Sequence, residues 1–179
     1  MKAVIFVDVQ NDFVKGGALA FGYPAEDNTP KITEFAKQCI ADGYKIYATR
    51  DTHTTDYMNT LEGKKLPVPH CIEGSDGWMI KSDLLDVILG KATIVNKPTF
   101  GSYDLVDIIK EDVAKLGEFD EIILTGYCTS ICVMSNSILL RAAFPNTKIT
   151  IMSDLCGDVS KEAHDAALTV AAMQQIDVK

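Results

Sequence analysis

Residues 3–7, Ala3-Val4-Ile5-Phe6-Val7, form an unbroken apolar run rich in β-branched side chains. A strand with one wet face alternates polar and apolar residues, so a continuous run fits a strand covered on both faces. Comparable short runs recur at 44–49, 93–95, 121–125 and 148–152, and 176–178 adds a short terminal one. Between them lie helical stretches at 30–40, 103–116, 129–144 and 160–175. Thr29 is the expected N-cap of the first helix, with Pro30 at its first position and Gly43 as its stop. This strand–helix alternation predicts an α/β fold: a doubly wound, mainly parallel sheet with helices on both faces. The 179 residues are read as one domain spanning 1–179. Residues 51–78 follow no period and are expected to form a long loop, which in a compact domain usually carries function.

Composition narrows the partners. The formal net charge is −8, and the densest basic spot is Lys64-Lys65. Phosphate backbones would be repelled, so nucleic acid is excluded as a partner. No apolar stretch approaches the 18 or so residues of a membrane span, so no membrane partner is expected. The opening apolar run is broken by Asp8 and Asn11-Asp12, which favours a buried strand over a signal peptide. Five scattered cysteines (39, 71, 128, 132 and 156) without an export signal are read as reduced thiols of a cytoplasmic protein.

Ligands of open α/β sheets bind at the carboxyl ends of strands, near the switch in strand order. An acid (Asp8), an acid–imidazole pair (Asp51 and His53), a lysine (Lys97) and two cysteines (Cys128 and Cys132) all follow predicted strands. A thiol at the start of a helix feels unpaired N–H groups and the positive dipole end, which lower its pKa. The same N–H groups can hold an oxyanion, a lysine favours the thiolate, and a carboxylate moves protons. Asp8, Lys97 and Cys132 supply these parts. The competing reading of either cysteine is an inert buried side chain. A metal or redox pair at Cys-x₃-Cys lacks both a second ligand pair and the usual spacing.

Asp51 and His53 alternate by two and could face one side of an extended segment, with Glu62 and His70 later in the same loop. Imidazoles with carboxylates suit a divalent transition metal. Phe13, Phe100, Tyr103 and Trp78 fall where they could line a flat-ring pocket, Phe13 and Phe100 most directly; Trp78 could instead anchor the loop. His164 is read as a solvated or core histidine of the last helix.

Over nearly its whole length the chain resembles the nicotinamidase and isochorismatase-like cysteine hydrolases. The resemblance is carried by Asp8-Val9-Gln10-Asn11-Asp12-Phe13, Thr49-Arg50-Asp51-Thr52-His53, Pro69-His70-Cys71-Ile72-Glu73-Gly74 with Gly77-Trp78, Lys97-Pro98-Thr99-Phe100, and Gly126 through Val133. It implies an isochorismatase-like, Rossmann-like three-layer fold and a catalytic triad of Asp8, Lys97 and Cys132. It implies a cis peptide between Tyr127 and Cys128, and an oxyanion hole from the backbone N–H groups of Cys128 and Cys132. It further implies a divalent metal (zinc, with iron and manganese compatible) held by Asp51, His53, His70 and Glu62. In that family the metal meets the pyridine nitrogen of the substrate while the amide meets the cysteine. The expected activity is hydrolysis of a small-molecule amide, nicotinamide to nicotinate and ammonia, through a thioester. Metal-free carbamoyl or ureido hydrolysis and a non-catalytic metal-binding role are the alternatives. The architecture commonly self-associates, so a homo-oligomer is expected. Two departures stand out. Ser130 occupies a position where the family often has Asp, and Leu66-Pro67-Val68-Pro69 replaces a stretch where an aromatic is frequent.

Overall fold

β1 (Lys2–Val7) lies inside a six-stranded, all-parallel sheet with the order β3-β2-β1-β4-β5-β6. The other strands are β2 (Lys45–Asp51), β3 (Ala92–Lys97), β4 (Glu121–Tyr127), β5 (Lys148–Gly157) and β6 (Asp177–Val178). The computed structural model describes residues 1–24 and 27–179. The chain first winds outward from β1 to β3, then restarts at β4 on the other side of β1. The switch in strand order therefore falls between β1 and β4, where the fold opens a crevice at the carboxyl ends.

Alternation along β1 explains why its apolar run is continuous. Ala3, Ile5 and Val7 pack with α4 (Tyr103–Leu116), α5 (Met134–Ala143) and α6 (Lys161–Met173) on one face. Val4 and Phe6 pack with α1 (Thr29–Ala41) and α3 (Ser82–Ile88) on the other. Both faces are dry, as the residue pattern requires.

Several boundaries differ from the sequence reading, each for a local reason. Asn28, not Thr29, is the N-cap of α1. The Thr29 hydroxyl is turned to the Tyr127 hydroxyl, 3.2 Å away, and its N–H donates to Asp27 Oδ1. The 51–78 segment is not wholly irregular: it holds a 3-10 turn at Tyr57–Asn59 and the short helix α2 (Leu61–Lys65). Thr60 Oγ1 caps α2 by accepting from Gly63 N–H at 3.0 Å. α3 was not foreseen; its seven residues are too few for a clear period. β5 extends five residues past 152, to Gly157, with an irregularity in its pairing to β4. The helix expected from 129 opens instead with a π-turn, Thr129–Val133, before α5. The peptide between Tyr127 and Cys128 is cis, as the resemblance implies. Among the described residues no helix is long and apolar enough to cross a membrane.

Candidate active site

Asp8 follows β1 directly, and its φ of +49° lies in the left-handed region that non-glycine residues rarely occupy. Its N–H donates to Thr49 O, and the Thr49 hydroxyl donates to Asp8 Oδ1 at 2.6 Å. Strained backbone held by such contacts is typical of a functional position. Lys97 ends β3 and is completely buried, as is Asp8. Its ammonium lies 2.6 Å from Asp8 Oδ2, 3.4 Å from Cys132 Sγ and 3.5 Å from Asp51 Oδ1, and donates to Thr99 O. Acid, amine and sulfur thus converge from three separate strand ends.

Burial sets the electrostatics. It lifts the Cys132 thiol well above its ordinary value, and the Lys97 charge only partly opposes this. The sequence reading expected a depressed thiol; desolvation in a dry site outweighs the turn dipole and the lysine. Burial also raises the Asp8 carboxyl against the pull of Lys97. Burial disfavours the Lys97 cation too, but Asp8, the Cys132 sulfur and Asp51 together hold its pKa above the usual lysine range. The resting arrangement is a thiol beside an acid–lysine ion pair, with a carboxylate whose raised basicity suits it to accept the thiol proton.

The π-turn places Cys132 and orders the nearby amides. The N–H groups of Ile131 and Val133 both end on Cys128 O, and that of Ser130 ends on Asp158 Oδ2. Among the described residues the N–H groups of Cys128 and Thr129 find no protein acceptor, and that of Cys132 lies in the same turn. Free, clustered amides beside a nucleophile are what an oxyanion requires. Cys128 itself is buried, and its thiol is pushed up to about 12 by burial and by Asp158. It offers main chain rather than sulfur.

A second cluster adjoins the first. Asp51 Oδ2 lies 2.9 Å from His53 Nε2 and 3.3 Å from His70 Nε2. Glu62 Oε1 stands 3.7 and 3.8 Å from the same two nitrogens, brought there by α2. The His70 Nδ1–H donates to Val68 O at 2.9 Å, which directs the Nε2 lone pair into the cluster. Burial opposes the low pKa of Asp51, but the two imidazoles beside it and the Lys97 charge hold it well below the usual carboxylate range. Burial and Asp51 push Glu62 upward. Three buried donors within 4.8 Å of one another, with the tautomer of His70 fixed from behind, fit a divalent transition metal.

One cavity of about 190 Å³ joins the two clusters; Phe13, Leu66, His70, Asp51, Phe100 and Cys132 are among its walls. Glu62, Leu66 and Phe100 also line a wider outer recess of about 470 Å³. Phe13 is buried and Phe100 is 44% exposed at the mouth. Tyr103, expected at the pocket, is 76% exposed on the first turn of α4 and lines neither cavity. A helix start just beyond the Phe100 loop turns it outward. Trp78 anchors the loop: its indole N–H donates to the Thr52 hydroxyl, and the Arg50 guanidinium lies 3.8 Å from its ring centroid.

Sequence reasoning missed several supports. Gln10 is fully buried and grips the main chain of Asp51 from both sides, donating to its carbonyl and accepting from its N–H. Asn136 ties Cys132 O to the Phe100 loop, donating to both carbonyls. His164 is neither solvated nor simply core, because its Nδ1 lies 2.8 Å from the Thr129 hydroxyl. Amides and hydroxyls of this kind announce themselves only as polar residues inside apolar segments.

An isochorismatase domain model matches residues 2–178. The nicotinamidase/pyrazinamidase of Mycobacterium tuberculosis is 28% identical, covering 98% of this chain and 94% of that protein. The nicotinamidase of Escherichia coli is 26% identical over 93% of this chain and 87% of that one. The crystal structure of the Bacillus subtilis nicotinamidase/pyrazinamidase superposes with a TM-score of 0.84 at 24% identity, covering 99% of this chain and 98% of that one. That of the Pyrococcus horikoshii pyrazinamidase in complex with zinc superposes with a TM-score of 0.82 at 22% identity, with the same coverage. The likeness to these two structures speaks for the fold, and the domain match takes in nearly every residue: the chain belongs to the isochorismatase family.

Proposed function

We propose that the protein is a cysteine amidohydrolase that converts nicotinamide to nicotinate and ammonia. The observation that carries this reading is the single cavity walled at once by Cys132 and by Asp51 and His70. A molecule with an amide at one end and a ring nitrogen at the other can meet both clusters together. Family membership and amide-hydrolysing relatives support the coarser statement, a hydrolase acting on amides.

In the proposed reaction Asp8 takes the Cys132 proton as the sulfur attacks the amide carbon. The N–H groups of Cys128 and Cys132 accept the charge that develops on the carbonyl oxygen. Asp8 returns the proton to the departing nitrogen, releasing ammonia and leaving a thioester. Water, deprotonated by Asp8, adds to the thioester carbon; collapse frees the carboxylate product and the sulfur recovers its proton. Lys97 keeps the acid and the sulfur in place and stabilises negative charge on either. Asp51, His53 and His70 would hold the metal, with Glu62 at the fourth position. When bound there, a divalent ion supplies a Lewis-acid anchor for a ring nitrogen.

Ammonia release from a panel of small amides tests the reading. Nicotinamide should be turned over with a kcat/KM at least tenfold above that for benzamide, which lacks the ring nitrogen. Equal rates on the two, or turnover of ureido compounds alone, would overturn the substrate assignment.

A further inference from the structure

The corner between β5 and α6 touches the π-turn at three points. Gly157 O accepts from the Thr129 hydroxyl at 3.1 Å. His164 Nδ1 lies 2.8 Å from that hydroxyl, which already donates to Gly157 O, so the imidazole N–H is the donor of this second bond. The third contact is Asp158, which is 0% exposed. Its Oδ2 accepts the Ser130 N–H at 2.7 Å, and its Oδ1 accepts the Ser130 hydroxyl at 2.9 Å and the Val159 N–H at 2.7 Å. The charge is met by these three donors rather than by a cation.

A fully buried carboxylate is costly unless every lone pair is used, and an apolar side chain at 158 would avoid the cost. What the carboxylate does is specific. It holds the N–H end of the peptide plane between Thr129 and Ser130, immediately beside the amides of Cys128, Thr129 and Cys132. The two adjacent N–H groups, of Ile131 and Val133, both end on Cys128 O; the Thr129–Ser130 plane is held at its carbonyl end by the Met134 N–H and at its N–H end by Asp158. Ser130 brings no carboxylate of its own to the turn, and Asp158 supplies one from the β5–α6 corner.

We infer that Asp158 is a positioning residue for the proposed hydrolysis: by holding the Ser130 N–H it aims the neighbouring amides at the oxyanion. It touches no reacting atom. The inference rests on the amidohydrolase reading and adds to it a residue from a different strand. Its consequence follows from hydrogen-bond direction. In Asp158→Asn one oxygen becomes an NH₂, which must face either the Ser130 N–H or the Val159 N–H, donor against donor. Either way one of the two N–H groups is repelled, the clamp between the β5–α6 corner and the turn loosens, and the oxyanion donors lose alignment. Adding Ser130→Asp to that variant supplies a new acceptor on the turn. The amide at 158 can then accept the residue-130 N–H with its oxygen and donate its NH₂ to the introduced carboxylate, which also takes the Val159 N–H.

The test uses the full chain as isolated with its metal. Wild-type ammonia release is read first, on nicotinamide and on the amide panel. No release from any amide would remove the hydrolase reading, and the inference with it. Where the wild type turns over, Asp158→Asn should lower kcat about 10- to 100-fold, in the range for a misaligned oxyanion donor, with KM changed less than about threefold. Alkylation of Cys132 by iodoacetamide, which needs no oxyanion hole, should stay within about twofold. The double variant should recover at least about tenfold in kcat. Three results would overturn the inference: unchanged kcat in Asp158→Asn, a rise in KM alone, or a double variant no better than the single one. If Asp158→Asn does not fold, a double variant that folds and turns over supports the inference, and one that stays inactive or unfolded refutes it.

Discussion

Lys97→Met removes the cation beside Asp8 while roughly conserving volume, and its cost can be worked from the geometry. At 2.6 Å the Asp8–Lys97 pair is worth about 6 kcal/mol at an effective dielectric near 20, before desolvation is subtracted. Removing one partner of such a buried pair typically costs about 3–5 kcal/mol. The upper end is closed off here, because Asp8 can take up a proton instead of standing charged. Protonating a carboxyl of ordinary pKa at neutral pH costs about 4 kcal/mol, so Lys97→Met should lose about 3–4. Asp8→Asn should lose less, about 1–2 kcal/mol, since Lys97 retains Asp51 at 3.5 Å and Thr99 O at 3.1 Å. The double variant buries no unpaired charge at this point and should lie close to Asp8→Asn, giving a coupling of about 3–4 kcal/mol. In Lys97→Met the folded Asp8 has a pKa raised above its unfolded value. Its contribution is therefore full below about pH 4 and is lost as pH rises, so the penalty seen at neutral pH should shrink toward pH 4.5. The assay is urea unfolding of chelator-treated protein at both pH values. Additive single effects (coupling under about 0.5 kcal/mol), or a larger loss for Asp8→Asn than for Lys97→Met, would refute the reasoning.

Cys132→Ala should still bind nicotinamide but release no ammonia, and undiminished turnover would remove the nucleophile from the scheme. Elemental analysis should find about one divalent ion per chain, and His70→Ala should weaken its retention about 100-fold, measured by competition with a chelator; full retention would exclude His70 as a ligand. Glu121 reports on stability away from the site. Burial opposes its ionisation, but Thr150, Lys179 and Lys2 hold its pKa down to about 2. That stability is present above the ordinary carboxylate range and lost as pH falls toward 2, so Glu121→Gln should cost about 1–2 kcal/mol at neutral pH after discounting for the wet lysines, and nothing at pH 2. Gly126→Ala would place a Cβ 2.1 Å from Val7 O at a φ of +120°, whereas Gly43→Ala at +74° meets no atom within 4 Å. Urea titration should show a loss above about 3 kcal/mol for the first and about 1 for the second; equal losses would mean that β1 and β4 yield easily.

The sheet and its five longer strands were legible because doubly covered strands leave continuous apolar runs. Asp8, Lys97 and Cys132 could be singled out because each follows such a run. Periodicity could not show α2 and α3, which are shorter than two helical periods. Nor could it show that Cys132 sits fully dry: the helix-start argument weighs the dipole, while desolvation depends on what the distant Lys97 and Phe100 segments bring over it. Tyr103 was misjudged because proximity in sequence to Phe100 says nothing about which way a helix start turns its first side chain. Gln10, Asn136 and Asp158 act through main-chain atoms of other segments, and a single sequence carries no record of those partners.

All five cysteines are free and buried, and burial lifts Cys132, the proposed nucleophile among them, well above the ordinary thiol range, so that it keeps its proton. Oxidants attack thiolates that solvent can reach. This enzyme therefore keeps no such target on display between turnovers. On the proposed reaction its sulfur would become vulnerable only while it gives up its proton to attack a bound amide, and that amide would then stand between the sulfur and solvent. A peroxide challenge should accordingly inactivate the idle protein slowly, and a saturated one no faster.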